Sequence, residues 1–229
     1  MATGAMRPPG TDEEDGPENV RRAIRLAAHP EAGGLGCLVC VGEQVHAARW
    51  VRKVHTVDLD AFESPDSGPL GIIGSNQRLS LDRRVSPWRV RVADSAVLPA
   101  VPVVTAYTCM PEEMVLKVAE TTGARGLVLE GFGAGNLPGS IAPAIEKLMS
   151  DGVQVAVATR VLRGGVLPIY GGSGGHARLT DVGVLSSPWL TAAKTRLLLT
   201  ACLAAHPSNV RTLFDQGVKA TAPVLRRTT

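Results

Sequence analysis

The feature that most constrains the fold of this chain is a regular alternation of strand-like and helix-like segments over residues 101–216. Three aliphatic runs predict strands at 101–108, 126–131 and 153–160. Four segments with apolar residues at helical spacing predict helices at 111–123, 140–152, 187–204 and 208–216. Strands that alternate with helices of this length are typical of β-α-β units, in which the strands run parallel.

The core of such a sheet must be aliphatic here, because only 3% of the residues are aromatic while 45% are hydrophobic. Val/Leu/Ile cores suit parallel sheets that are covered on both faces. We therefore expect residues 101–217 to form a complete α/β domain. Residues 218–229 lack periodicity and are predicted to be an irregular tail.

Residues 1–84 are less regular and are predicted to form an N-terminal domain of their own. Asp15 is expected to cap a helix whose first turn contains Pro17. The rest is predicted to contain a hairpin within 35–50, a short helical turn at 58–64, and two short strands joined by Ser75 and Asn76. Residues 85–100, with a proline near each end of a weak pattern, predict a linker between two domains.

Charge and hydropathy exclude several classes of protein. The net charge of +3 is too small and too dispersed for a nucleic-acid-binding surface. The sequence contains no run of about 18 apolar residues, so no membrane span is predicted. Because the first residues also lack the apolar segment of a secretory signal, we expect a cytoplasmic protein.

The cysteine pattern does not favour a metal or redox site. Cys37 and Cys40 form a C-x-x-C within a predicted strand, where positions three apart point to opposite faces. No second C-x-x-C or C-x-x-H completes a ligand set. We expect core thiols and no bound metal.

A glycine-rich loop follows the predicted strand at 126–131, in the sequence GFGAGNLP (131–138). A dinucleotide-binding turn needs a third glycine three residues after its second, and the residue three places after Gly133 is Asn136. Pro138 also removes an N–H that a phosphate site would use. No Gly-Lys-Ser/Thr follows, so a P-loop is excluded and no nucleotide cofactor is expected.

Two polar residues remain as candidates for binding or catalysis. Asn136 follows the carboxyl end of a strand, where open α/β sheets bind ligands, and its amide can either contact a ligand or brace its own loop. Lys53 follows another predicted strand; a buried lysine can act as a base, whereas an exposed one is merely solvated. His46 and His55 lie near it and are interpreted as surface histidines, since no Ser-His-Asp or Cys-His pattern includes them. The loop GGSGGHARL (171–179) is either a lid or a simple connection.

Several separate motifs resemble one family. TGAMRPP (3–9), DGPENV (15–20), the stretch from Val51 to Gly71 and GFGAGNLP (131–138) are similar, in sequence and spacing, to bacterial-type L-asparaginases/glutaminases. The resemblance extends from Thr3 to Gln216. It implies a two-domain α/β fold with a linker and a smaller, flavodoxin-like C-terminal domain. It also implies hydrolysis of the side-chain amide of asparagine, and often of glutamine, without a cofactor.

The same resemblance implies roles for two residues. The family uses a threonine nucleophile and a Thr-Lys-Asp group; Lys53 matches its lysine, although Val54 replaces the usual following threonine. Asn136 matches the asparagine of the G-x-G-N loop, which reaches the substrate across a subunit interface in a homotetramer of intimate dimers. The acidic residue that some members contribute from a later loop has no counterpart in residues 171–179.

The family's T-G-G-T and H-G-T-D motifs, which carry the threonines and the aspartate, are absent from residues 1–229. The resemblance places both upstream of T-G-A-M-R. We therefore expect a chain that begins inside the N-terminal domain and is inactive alone. Two alternatives are a non-catalytic amino-acid-binding or oligomerisation module and a glutaminase subunit of a transfer-RNA amidotransferase.

Overall fold

The computed structural model describes residues 1–74, 78–82, 85 and 87–223. The described chain forms two compact units, one containing Met1–Pro87 together with Pro223 and the other containing Trp88–Ala222. The predicted α/β class is confirmed: the first unit contains an antiparallel sheet and the second a parallel sheet. The predicted domain boundaries at 84 and 100 stay predictions. The turn expected at Ser75 and Asn76 and the last six residues of the tail lie outside the described residues.

The N-terminal unit packs one helix against a small sheet. Its elements are α1 (Gly16–Ala28), β1 (Leu38–Val41), β2 (Gln44–Ala47), β3 (Arg52–Lys53), β4 (Phe62–Glu63), β5 (Gly71–Ile73) and β6 (Leu79–Leu81). Four strands form an antiparallel sheet in the order β1-β2-β5-β6, and β3 pairs with β4 alone. The core is aliphatic apart from Cys40 and Trp50, and it includes Leu26, Leu38 and Ile73.

Two predictions of local backbone structure in this unit differ from the structure. Asp15 is the N-cap residue of α1 and Pro17 lies in its first turn, as predicted, but the Asp15 side chain makes no capping hydrogen bond. Its carboxylate instead accepts hydrogen bonds from the backbone N–H groups of Met6 and Arg7, each at 3.0 Å, which pins the N-terminal segment. The helical turn expected at 58–64 is a turn followed by β4, because Phe62 pairs with Lys53.

The C-terminal unit is a sheet of four parallel strands with helices on both faces. Its strands are β7 (Val103–Thr105), β8 (Gly126–Gly131), β9 (Gln154–Thr159) and β10 (Leu185–Ser186), adjacent in chain order. Its helices are α2 (Glu112–Thr122), α3 (Ala142–Ser150), α4 (His176–Asp181), α5 (Ala192–Ala205) and α6 (Val210–Ala220). The three predicted strands and four predicted helices are present, whereas α4 and β10 were not predicted.

Alternation along the central strands explains the two-layer core. Leu127 and Leu129 of β8 face a core that contains side chains of α2 and α3. Val128 points to the opposite face, towards residues of α5 and α6 such as Leu199 and Phe214. Because every other residue of a strand faces the same side, an unbroken aliphatic run supplies both cores at once.

Candidate functional site

Lys53 lies in the N-terminal unit, on the short strand β3. It pairs with Phe62 of β4, and the next N–H, that of Val54, donates to the Ala61 carbonyl at 2.7 Å. The Lys53 side chain is exposed, and its ammonium makes no hydrogen bond or ion pair to the part of the chain that the structure describes. The β3–β4 ladder therefore fixes the lysine backbone while the side chain stays accessible.

The two histidines near Lys53 differ in environment. His46 is fully buried, contrary to the surface position predicted for it, and its Nδ1 lies 2.9 Å from the Ser64 hydroxyl. His55 is exposed as predicted, and its Nδ1 accepts the backbone N–H of Asp58 at 3.0 Å. Each imidazole is thus engaged in local structure rather than directed at Lys53.

Asn136 lies in the C-terminal unit, at the carboxyl end of β8. The loop that carries it closes on itself: the Phe132 N–H donates to the Asn136 carbonyl at 2.8 Å, and the N–H groups of Gly135 and Asn136 both donate to the Phe132 carbonyl. Gly135 has φ +98°, a conformation that side-chain-bearing residues rarely adopt. Three N–H groups that a phosphate cradle would need are therefore used inside the loop.

The side chain of Asn136 has a defined orientation. Its Oδ1 accepts the backbone N–H of His176 at 3.2 Å. Since that N–H can only donate, the amide oxygen faces His176 and the Nδ2 group points away from it. Nδ2 makes no hydrogen bond to any described residue, so two N–H donors remain for a ligand. The two roles considered for Asn136 are therefore compatible, one for each end of the amide.

The GGSGG stretch packs closely against the Asn136 loop. The Leu137 N–H donates to the Gly174 carbonyl at 2.8 Å. A Cβ on Gly174 would lie 1.9 Å from the Leu137 carbonyl oxygen, so the approach requires glycine. The GGSGG stretch therefore packs backbone to backbone against the Asn136 loop, and it leads directly into α4.

Polar and charged groups surround the carboxyl ends of the other strands. Arg160, after β9, stacks 4.4 Å from the centroid of the Phe132 ring and donates to the Ala106 carbonyl at 3.3 Å. The Thr159 hydroxyl donates to the Gly133 carbonyl at 2.6 Å. These contacts fix the opening part of the glycine loop from the β9 side.

Sequence reasoning missed His176, which the structure brings to Asn136. Its side chain is fully buried, and its Nε2 lies 2.7 Å from the Ser186 hydroxyl on β10. Burial lowers the pKa of His176, and the nearby Gly135 carbonyl offsets only part of this effect. The available signal was that the glycine-rich stretch ends at Gly175 and is followed by HARLTD (176–181), where a helix could start.

Cysteines and acidic residues do not form a metal site in the described part of the chain, where no group of three His, Cys, Asp or Glu side chains could hold an ion. Cys40 is buried as expected, whereas Cys37 is exposed and the prediction of a core thiol was wrong for it. Nor is any helix within the described ranges both long enough and apolar enough to cross a membrane.

Comparisons with known families cover both units. Residues 1–86 match the family described as "Asparaginase, N-terminal", and residues 100–214 match "Glutaminase/Asparaginase C-terminal domain". A probable L-asparaginase of Deinococcus radiodurans is 35% identical over 223 residues, which cover 95% of this chain and 67% of that protein. A glutaminase-asparaginase of Pseudomonas fluorescens biotype A is 28% identical over 169 residues, or 72% of this chain and 46% of that protein.

A solved structure is also similar. The crystal structure of a probable cytoplasmic L-asparaginase from Campylobacter jejuni superposes with a TM-score of 0.80 at 29% identity, covering 93% of this chain and 67% of the other. The chain thus spans about half to two thirds of the length of these three relatives.

Proposed function

Because the chain belongs to the glutaminase/asparaginase family, we propose that it forms part of an L-asparaginase-type amidohydrolase, which converts L-asparagine and water to L-aspartate and ammonia. The observation that carries this proposal for the site is the Asn136 side chain, which is held by its oxygen and presents Nδ2 at the carboxyl edge of a parallel sheet. The substrate is a small amino acid with a side-chain amide, asparagine or glutamine.

Asn136 contacts the substrate in this proposal. An amide NH₂ donates, so it recognises an acceptor oxygen, and an amino-acid substrate carries such oxygens on its carboxylate and its amide. A hydrogen bond to a charged acceptor contributes about 1.5–3 kcal/mol. We therefore expect Asn136→Ala to weaken substrate binding, raising KM more than it lowers kcat.

By the family resemblance, Lys53 acts as the base of the reaction once the part of the site that carries the threonines and the aspartate covers its side chain, which is exposed in this chain. The family resemblance implies a threonine hydroxyl that attacks the amide carbon, with loss of ammonia and hydrolysis of the resulting ester by water. A hydroxyl is a weak nucleophile until a neighbouring base removes its proton. Residues 1–229 contain neither family threonine motif. In this proposal Lys53 and Asn136 belong to this chain, and the threonines and the aspartate have to be supplied to it for turnover.

The test measures ammonia release from L-asparagine, first by the chain alone and then by the chain co-expressed with the part of the Deinococcus relative that it does not match. We expect no release by the chain alone, and turnover in the complemented sample. Lys53→Met should then reduce kcat by about 10²–10⁴-fold, the usual contribution of a general base. Lys117→Met, at an exposed lysine paired with Glu120, is the matched control and should leave kcat unchanged. If the complemented sample keeps its turnover after Lys53→Met, Lys53 is not the base.

A second function follows if no complementation occurs. The ordered Asn136 amide can bind an amino acid without any nucleophile, as in a non-catalytic binding or oligomerisation module. Calorimetric binding of L-aspartate that Asn136→Ala weakens, with no turnover in any sample, would favour this module. A glutaminase subunit of an amidotransferase would instead require release of ammonia from glutamine.

The chain also forms a homodimer or homotetramer in this proposal. Exposed apolar side chains follow β9, including Leu167, Ile169 and Tyr170. The Leu167 N–H donates to the Ala134 carbonyl at 2.9 Å, so this apolar segment adjoins the Asn136 loop. Contiguous apolar surface of this kind marks protein interfaces.

Sedimentation velocity tests the oligomer. Ile169→Glu should shift the chain towards monomer, because Ile169 is 63% exposed within the apolar segment. Leu197→Glu, at a position on α5 that is 61% exposed, is the control and should leave the oligomer intact. An unchanged oligomer in Ile169→Glu would exclude this surface.

We further propose a cytoplasmic location, which is supported by the similarity to the structure described as a probable cytoplasmic L-asparaginase. Fractionation of the cells that naturally produce the protein would test it, and recovery in the periplasmic fraction would contradict it.

A further inference from the structure

The orientation of Asn136 depends on where helix α4 begins. One hydrogen bond, from the His176 N–H to Oδ1 at 3.2 Å, aligns the amide. The N–H of the preceding residue does not replace it, since Gly175 already donates to the Gly172 carbonyl at 2.7 Å. Whatever fixes His176 therefore also fixes the direction of Nδ2.

The His176 ring is anchored at one of its two nitrogens. Nε2 lies 2.7 Å from the hydroxyl of Ser186, at the end of β10. Nδ1 is buried and makes no hydrogen bond of normal geometry within the described ranges, although the Gly135 carbonyl lies close enough to favour a proton on the ring. The ring thus spans the space between the sheet and the Asn136 loop.

We propose that His176 is a positioning residue, whose ring, anchored by Ser186, holds the first N–H of α4 where it orients the Asn136 amide towards a ligand oxygen. The inference rests on the proposed function of Asn136 as a ligand contact. It assigns His176 no direct contact with the ligand.

A nucleophile-and-base pair is the other chemistry that a Ser-His contact offers. Such a base needs a partner that orients its second nitrogen, and no described carboxylate bonds Nδ1. The His176 ring is also fully buried, with 0% exposure. A serine-directed fluorophosphonate should therefore leave Ser186 unmodified, and modification there would overturn the positioning role.

Three variants separate the ring's size from its polar contact. His176→Phe keeps the volume and removes the nitrogens, His176→Gln can place an amide near the position of Nε2, and Ser186→Ala removes the anchor while the ring stays. The first readout is the side-chain ¹⁵N–¹H₂ resonance pair of Asn136 in the ligand-free chain. We expect the pair to move in His176→Phe and Ser186→Ala and to stay near its wild-type position in His176→Gln.

The second readout is the affinity for L-aspartate by calorimetry. Loss of one oriented hydrogen bond to a charged group predicts a Kd that rises about tenfold in His176→Phe, with His176→Gln within about threefold of wild type. If Asn136→Ala weakens binding but His176→Phe and Ser186→Ala do not, the inference is overturned while the proposed function stands. If Asn136→Ala binds like wild type, the proposed contact fails and the inference fails with it. Should wild type not bind, the resonance pair still decides the positioning role, and unmoved resonances in all variants overturn it.

Discussion

At the scale of the residue, the glycine loop combines two kinds of constraint that a matched pair of substitutions separates. Gly135 has φ +98°, and a Cβ there would lie 2.6 Å from Cγ1 of the buried Val166. Gly133 has φ +45° with open space around it. We expect Gly135→Ala to cost about 3 kcal/mol, since backbone strain and overpacking add, and Gly133→Ala about 1 kcal/mol from strain alone. If urea unfolding shows the same loss of unfolding free energy in both variants, the Val166 side chain moves aside without a measurable penalty.

The buried His176 predicts a pH dependence of stability. Its pKa in the folded chain lies below the ordinary value of 6.5, because burial disfavours the charged ring. Below about pH 6.5 the unfolded chain binds a proton that the folded chain does not, so stability falls as the pH falls, by up to about 1.4 kcal/mol per pH unit. Above that range the contribution is complete and constant.

The comparison that isolates this effect is urea unfolding of wild type and His176→Gln at about pH 7.5 and about pH 5.5. The wild type should lose more stability between the two conditions than the variant does, since glutamine does not titrate. An identical loss in both would assign the pH dependence to other groups.

Residue-level prediction from sequence had a clear limit at this site. Lys53 and Asn136 could be named from motifs, and their roles stay predictions. His176 could not be named, because its contact with Asn136 joins residues 40 positions apart through a backbone N–H. Backbone donors carry no sequence signature, so only the fold identifies which one meets a given side chain.

At the scale of the element, helix α5 and strand β8 meet where a glycine replaces a side chain. A Cβ on Gly126 would lie 2.9 Å from Cδ2 of Leu199, which is fully buried. Leu199→Ala should cost about 3 kcal/mol through a cavity, and Gly126→Ala about 1–2 kcal/mol through overpacking. Because the added methyl enters the space that leucine leaves, the double variant should cost at least about 1 kcal/mol less than the sum. Leu197→Ala, exposed on the same helix, is the control at under about 0.5 kcal/mol.

Strands and helices with a clear hydrophobic pattern could be predicted from the sequence. Strands that form only because they pair with a neighbouring strand could not. β8 and β9 are six-residue strands with three and four consecutive aliphatic residues at their centres, and both could be recognised in the sequence. β10 has only two residues and exists because it pairs with β9. β4 likewise forms by pairing with β3 at 62–63, where the local sequence favoured a helical turn. Short elements carry too few residues for a period to appear.

At the scale of the whole molecule, each compact unit has a core of its own and contains one exposed and one buried cysteine. Cys37 and Cys40 lie in the N-terminal unit, and Cys109 and Cys202 in the C-terminal unit. Burial raises the pKa of Cys40, and it raises the pKa of Cys202 to about 11. Since the thiolate is the reactive form, Cys37 and Cys109 should react with a thiol reagent at once and the buried pair only after opening.

This arrangement makes the buried thiols separate reporters of how the two units unfold. In a Cys37→Ser/Cys109→Ser background, the labelling rates of Cys40 and Cys202 measure the opening of each unit, because each thiol is covered by its own unit's core. Leu199→Ala removes a side chain that packs in the same core as Cys202. We expect it to accelerate labelling of Cys202 by about a hundredfold, as a loss of about 3 kcal/mol predicts, and to leave Cys40 unchanged. Leu197→Ala should alter neither rate, and equal acceleration of both thiols by Leu199→Ala would show that the units open as one.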